Sequence, residues 1–218
     1  MLFDLELQVY IEALIETMYM TLLSTLLVFI VGLIWGALLY TTDTSGLWEN
    51  TLIHKVLSIL TSTLRSIPFL ILIVLLIPIT RVLLGTILGP SAALPALIIG
   101  ASPFYARLVE IALHETGSDL KETGLSFGAN KHQVLLRIII PESLPALIRG
   151  ITVTAIAITG YTSIAGAIGA GGLGNLAYLY GYARNRTGVT ITATLMIILF
   201  ILTIQIIGDV LVKKTKKT

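Results

Sequence analysis

The sequence predicts an all-α integral membrane protein with five transmembrane helices. Three observations carry that reading. Of its 218 residues, 56% are hydrophobic and 12% are charged, against about 25% charged in a soluble domain. The apolar residues fall in runs long enough to cross a bilayer, which takes roughly 20 residues per helix. One polar stretch, "LKETGLSFGANKHQVLLRIIIPESLP" at residues 120–145, interrupts those runs with charges, glycines and amides. A single membrane domain over residues 1–218 accommodates all three.

The first span is placed at about 17–40 and is closed by "TTDTSG". The second, at about 66–88, holds Pro68 and Pro78 and should bend. The third, at about 91–113, is the least apolar, with Pro95, Gly100 and Pro103, and it ends near Arg107 and Glu110. The fourth covers about 144–169 and the fifth about 189–212. A sixth span cut from 51–88 would have to bury Lys55 and Arg65, which disfavours it. Lysine and arginine concentrate on the cytoplasmic side of membrane proteins. With the N-terminus outside and the C-terminus inside, Lys55, Arg65, Arg107, Lys121, Lys131, Arg137, Arg149, Lys213, Lys214, Lys216 and Lys217 fall on the cytoplasmic side. Arg81, Arg184 and Arg186 fall outside. The polar stretch then faces the cytoplasm, between the third and fourth spans.

Composition also excludes. A net charge of +2 without an aromatic-studded basic patch offers nothing to nucleic acid. With no cysteine, disulfides, thiolate metal sites and a cysteine nucleophile are out. The N-terminus carries Asp4, Glu6, Glu12 and Glu16 and no cation before Lys55, so it does not read as a cleaved signal peptide. "GAGGLG" at 169–174 has the letters of a dinucleotide fingerprint but follows a membrane span and meets no acid before Asp209; it reads as a tight external re-entry. His114-Glu115 begins a zinc motif that Ser118 fails to complete, and His54, His114 and His132 read as scattered, solvated side chains. Asn185-Arg186-Thr187 is a glycosylation sequon in letters alone. Gly32 and Gly36 make a Gly-x-x-x-Gly, either a close helix contact or mere tolerance of glycine in lipid. Arg107 and Glu110, at i and i+3, can pair, as structure or as a relay of motion. Arg65, before Ser66-Ile67-Pro68, is either an interfacial anchor or a contact to a partner or the pathway.

Within the polar stretch, Asp119 and Glu122 have capping-box spacing, and a short helix is expected from 120 to 127, ending at Gly128. Asn130 with Gln133 repeats the cap, and a second helix should run to about Ile140, where Pro141 interrupts. The stretch therefore reads as a helix–turn–helix over 119–141 lying across the cytoplasmic face, against the alternative of an ordinary loop. Glu122-Thr123-Gly124, three residues, Gly128, nine residues and Ile138-Ile139-Ile140-Pro141 resembles the "EAA" loop of ABC-importer permeases, whose pattern is Glu-Ala-Ala, three residues, Gly, nine residues, Ile-x-Leu-Pro. Thr123, Gly124 and Ile140 depart from it, and Gly124 costs about 1 kcal/mol of helix propensity against alanine. "LRSIPFLILIVLLIPITR" and "GYTSIAGAIGAGGLGNLAYLYGY" look like the matching stretches of the methionine-import branch of that family.

The resemblance implies a permease subunit of an ATP-driven importer for methionine or a closely related small amino acid. It implies a homodimer around a central pathway, two cytoplasmic ABC ATPase subunits docked on the coupling loop (Glu122, Thr123, Gly124, Gly128, Pro141), an extracytoplasmic substrate-binding protein, and a bacterial cytoplasmic membrane. ATP and magnesium would sit on the partner ATPase, since this chain has no Gly-x-x-x-x-Gly-Lys-[Ser/Thr] loop and needs no cofactor of its own. In span four, Ala155, Thr159, Thr162 and Gly166 share a small-residue face that either packs tightly or lines a pathway, and the family match places Ile164 near the axis as a constriction. The alternative is an ion-coupled secondary transporter, which should show paired intramembrane acids or an inverted repeat; neither stands out. An intramembrane enzyme would need a nucleophile–base pair or a metal cluster within the spans, and neither appears; a non-transporting scaffold need not retain an ATPase on co-purification, while a permease should.

Overall fold

The computed structural model describes residues 5–215, the side chain of Ser118 excepted. Asp4, Lys216 and Lys217, used above in reading charge, lie outside the described residues. Among the described residues the chain is helical, with no strand. Its elements are α1 (Leu7–Thr42), α2 (Thr51–Ser66), α3 (Phe69–Leu84), α4 (Pro90–Ser126), α5 (Lys131–Ala170), the short α6 (Gly172–Asn175) continued by wider turns over Leu176–Tyr182, and α7 (Thr187–Thr215). Four of them, α1, α4, α5 and α7, are long and apolar enough to cross a membrane, and α2 with α3 makes a fifth if a broken pair counts as one span.

The second span corrects the sequence reading. α3 is shorter than 66–88, and only one of its two prolines breaks the helix. Pro68 precedes α3 at φ −56° and ψ 136°; its ring pushes Ile67 out of the helical region, so α2 stops there. Pro78 lies inside α3 without ending it. α2 is a separate helix, mostly exposed, with Thr61 its buried residue. The third expected span falls within α4, which runs unbroken through Pro95, Gly100 and Pro103 and is far more enclosed by the rest of the chain than α7. Its low hydropathy comes from small side chains such as Ala93, Ala96, Ala101 and Ala106, all buried. A helix enclosed by protein needs close neighbours more than it needs grease.

The Cα framework divides into two compact units. The first comprises Met1–Leu27, Ile67–Ala101 and Thr154–Ile206. Tyr10 and Ala13 of α1, Leu173 and Leu176, and Val189 and Ala193 of α7 form one of its cores. Phe69 of α3 stacks on Tyr161 of α5 at 4.5 Å between ring centres. Between α5 and α6 the chain turns through Gly169, Gly171 and Gly172, all at positive φ, a region that side-chain-bearing residues rarely enter. α1 pins this turn. The Glu16 carboxylate accepts a hydrogen bond from the Gly172 N–H at 2.6 Å, and Thr17 Oγ1 accepts from the Leu173 N–H at 2.9 Å. "GAGGLG" is therefore a tight turn anchored to the first helix.

Glu16→Ala should loosen that anchor. A backbone donor left unpaired in apolar surroundings costs about 1–3 kcal/mol, and a protein of this size loses roughly 2–4 °C of Tm per kcal/mol. Melting of the purified chain in detergent should drop by several degrees for Glu16→Ala and by less for Glu16→Gln, which keeps an acceptor. Equal melting of all three proteins would show that the turn holds itself.

The second unit comprises Val28–Ser66, Ser102–Val153 and Ile207–Thr218. Here Gly32 and Gly36 of α1 press against α4: an added Cβ would meet Tyr105 Cδ1 at 2.8 Å and Val109 Cγ1 at 2.7 Å, respectively. Of the two readings of this motif, close packing is the one observed. Tyr105 is fully buried and donates to the Leu147 carbonyl at 3.3 Å. At the end of α1, two histidines expected to be scattered converge on one acid. His114 Nε2 lies 3.3 Å and His54 Nε2 3.8 Å from the Asp43 carboxylate. The third, His132, packs on Trp48 at 4.7 Å. Sequence distance hid these meetings.

Candidate coupling turn and pathway face

The polar stretch is a sharp hairpin between two long helices. α4 continues without a break to Ser126, so Asp119 is a mid-helix residue and no helix starts there. The expected separate helix over 120–127 is the last two turns of α4. Its end is as expected. Gly128 sits at φ +82°, its N–H bonds the Leu125 carbonyl at 3.0 Å, and the Ala129 N–H bonds the Gly124 carbonyl at 3.1 Å. This is the Schellman pattern, in which a left-handed residue lets two otherwise orphaned carbonyls be satisfied. α5 opens with the expected capping box: Gln133 N–H donates to Asn130 Oδ1 at 2.9 Å, and Asn130 N–H to Gln133 Oε1 at 3.0 Å.

Pro141 does not interrupt α5. The helix widens to π-type turns over Val134–Ile139, and Ile140 N–H bonds the Leu135 carbonyl. Proline lacks an N–H and collides with the carbonyl four residues back in a regular helix. A π-type turn just before it relaxes that geometry, so the helix passes through. The second predicted helix is thus the start of α5.

The structure gathers some of the predicted loop residues and separates others. Glu122, Thr123 and Gly128 are exposed around the turn, while Thr123 Oγ1 donates to the Asp119 carbonyl at 2.9 Å. Gly124 is buried, its Cβ position 2.9 Å from Ile138 Cδ1 and 3.1 Å from Val134 Cγ2. Its departure from alanine now has a reason: the two helices of the hairpin touch there. Pro141 lies further along α5, exposed and apart from the turn. Sequence reasoning missed Phe127. It is 89% exposed at the tip of the hairpin, a large apolar side chain that the described residues leave uncovered. Missed too were the ties that brace the hairpin's root, Lys121 Nζ donating to the Ser45 carbonyl at 2.5 Å and the Trp48–His132 contact.

The small-residue face of α5 resolves as packing within the chain. Ala155, Thr159, Thr162 and Gly166 are all buried. Thr159 Oγ1 donates to the Ala155 carbonyl at 3.0 Å and Thr162 Oγ1 to the Thr159 carbonyl at 2.8 Å, so both hydroxyls are used by their own helix. A Cβ at Gly166 would run into the backbone of Gly171 and Asn175. The exposed stripe lies elsewhere on α5, at Gly160, Ile164 and Ile168. Ile164 is 39% exposed and Gly160 has open space beyond its Cα. Arg107 Nη1 and Glu110 Oε2 pair at 2.7 Å, with Glu110 buried. The Arg65 guanidinium sits over the Phe104 ring at 6.0 Å. No group of histidine and acidic side chains among the described residues can hold a metal ion.

Among the described residues the chain is a set of apolar helices, several long enough to cross a membrane, with a braced, doubly capped polar hairpin between two of them. The chain belongs to the binding-protein-dependent transport system inner membrane component family, whose model matches residues 29–217. It is 55% identical over 174 residues to the methionine import system permease protein MetP of Bacillus subtilis (strain 168), covering 80% of this chain and 78% of that one. It is 42% identical over 200 residues to the probable D-methionine transport system permease protein MetI of Pasteurella multocida (strain Pm70), covering 92% of each. A solved structure of inward-facing conformations of the MetNI methionine ABC transporter matches with a TM-score of 0.93 at 38% identity, covering 96% of this chain and 97% of that chain. These relatives are transport permeases, not enzymes, and they lend no support to the ion-coupled alternative.

Proposed function

We propose that this chain is the membrane permease of an ATP-driven importer for methionine or a closely related small amino acid, and that it works as a homodimer in a bacterial cytoplasmic membrane. The hairpin carries the reading. It presents an exposed acid, Glu122, and an exposed aromatic, Phe127, on a turn that the Schellman end of α4 and the capping box of α5 hold rigid. That is the shape of a handle for a cytoplasmic ATPase, one hairpin to each of two motor subunits. ATP and magnesium are bound on those partners. An extracytoplasmic binding protein selects and delivers the cargo. The excess of lysine and arginine near the hairpin and the C-terminus supports a cytoplasmic position for both, with the N-terminus outside.

Nucleotide-driven closure of the ATPase pair draws the two hairpins together. α4 and α5, continuous from hairpin to bilayer, carry the displacement inward. Docking must favour one permease state over the other, because equal docking to both would shift nothing. The exposed stripe with Ile164 is the face we assign to the two-fold axis, with Ile164 narrowing the pathway.

The test is uptake of radiolabelled methionine by proteoliposomes holding this chain with the ATPase and binding protein encoded beside it. Accumulation should require ATP and all three components. Ile164→Trp should reduce uptake at least several-fold while the complex still assembles. Uptake by the chain alone, driven by an ion gradient, would overturn the reading.

A further inference from the structure

In the second unit, α4 and α5 enclose an open groove of about 260 Å³. Each helix offers one stripe to it, residues 108, 111, 112 and 115 from α4 and residues 146, 149, 150 and 153 from α5. Both stripes follow the i, i+3, i+4, i+7 spacing of a single helical face. Gly150 lets the helices approach, its Cβ position 3.4 Å from Leu108 Cβ and from Tyr105 Cε2. The walls are mostly apolar, with Leu108, Ile111 and Val153 foremost. Two charges stand in them, Glu115 on α4 and Arg149 on α5, both exposed.

These charges do not satisfy each other. Arg107 and Glu110, nearer the start of α4, form a close ion pair, but Glu115 and Arg149 make no ion pair or hydrogen bond among the described residues. A larger groove of about 460 Å³, along Leu38, Trp48, His132 and Leu136, has no such pair of opposite charges. A cleft with a carboxylate on one wall, a guanidinium on the other and aliphatic side chains between them is complementary to a zwitterion with an apolar side chain. A guanidinium binds a carboxylate through two parallel hydrogen bonds, a carboxylate accepts from an ammonium, and the aliphatic walls take up the remainder. Ligand clefts combine a mostly apolar lining with a few placed polar groups in this way.

We infer that this groove is a weak binding site for the transported amino acid, with Arg149 holding the α-carboxylate, Glu115 the α-ammonium, and Leu108, Ile111 and Val153 the thioether chain. The inference rests on the importer reading above and adds a substrate site to it. Because the groove is open and both charges remain hydrated, binding is loose, which suits a station from which cargo leaves.

The absence of cysteine in this chain makes the test direct. Val153→Cys, or Ile111→Cys on the opposite wall if the first fails to fold, is placed in the otherwise complete transporter in nanodiscs. Its alkylation by a maleimide is then timed. L-Methionine at millimolar concentration should slow the reaction several-fold. 4-(Methylthio)butanoate, which lacks the amino group, and 3-(methylthio)propylamine, which lacks the carboxyl group, should protect far less. Glu115→Gln and Arg149→Gln should each abolish protection by methionine, while a reporter at Val82→Cys should show none at any concentration. Three outcomes overturn the site: no protection although the same preparation accumulates methionine, equal protection in the two charge variants, or a thiol that stays unreactive without methionine because a partner protein covers the groove. Failure of ATP-driven uptake itself would instead sink the importer reading.

Discussion

Gly36→Val is expected to leave little folded protein. The glycine sits where α1 crosses α4 in the second unit, and an added Cβ would drive into the Ala106 carbonyl and the Val109 side chain. Val109 and Ala106 are themselves fully buried, so neither can swing aside. The Ala106 oxygen belongs to an intact helix, and moving it means moving α4. Over-packing a well-filled interior costs typically about 1–3 kcal/mol and occasionally more, and a clash with backbone places this site at the upper end. Since whole domains are stable by only about 5–15 kcal/mol, such a loss would remove a large share of the total. Expression and size-exclusion profiles should show loss of the monodisperse peak, with melting far below that of the parent. Val82→Ala on α3 is the control, because that side chain is exposed and alanine is a good helix former. If Gly36→Val melted like the parent while Val82→Ala did too, the α1–α4 contact would not govern stability.

How much of this was visible in the sequence depended on how local each cause is. α1 and α7 were plain because their outward Leu and Ile residues form unbroken apolar runs, even though α1 begins at Leu7 rather than near residue 17. The Asn130–Gln133 box and the Gly128 terminator were legible because both depend on residues within one turn. Asp119–Glu122 has the same spacing as the genuine box, yet no helix starts there; spacing alone does not say whether the chain before it is already helical. Pro141 misled because the helix accommodates it with π-type turns over Val134–Ile139, which leave no mark in the spacing of residues. The small-residue face at Ala155, Thr159, Thr162 and Gly166 has a period that fits packing and pathway alike, and its burial within the chain follows from contacts that spacing does not show. The meeting of His54 and His114 at Asp43, the anchoring of a glycine turn by Glu16, and the facing of Glu115 and Arg149 across one groove are long-range, with no mark in a single sequence.

Phe127→Ala should abolish methionine uptake while leaving the permease folded. On the proposed reading, the hairpin tip is the sole physical link through which the ATPase pair acts, so truncating its apolar tip removes force transmission as well as affinity. Burying a phenylalanine side chain contributes about 1.5–3 kcal/mol, and centrally placed aromatic residues are often the strongest contributors to an interface. A loss of about 2 kcal/mol is roughly a 30-fold weakening of docking. Because Phe127 contacts almost nothing in the free chain, its removal should leave melting unchanged, the reverse of Gly36→Val. Two companions separate the causes. Glu122→Lys keeps the tip but reverses the exposed charge beside it, and should weaken association in a salt-dependent manner. Gly128→Val keeps both side chains but forces a β-branched residue to φ +82°, which disfavours the turn by about 1–2 kcal/mol and should lose transport by misdirecting the tip. Pull-down of the ATPase, ATP hydrolysis and uptake are measured on each variant. Normal association and uptake by Phe127→Ala would mean that the motor grips this protein elsewhere, whatever its likeness to other importers.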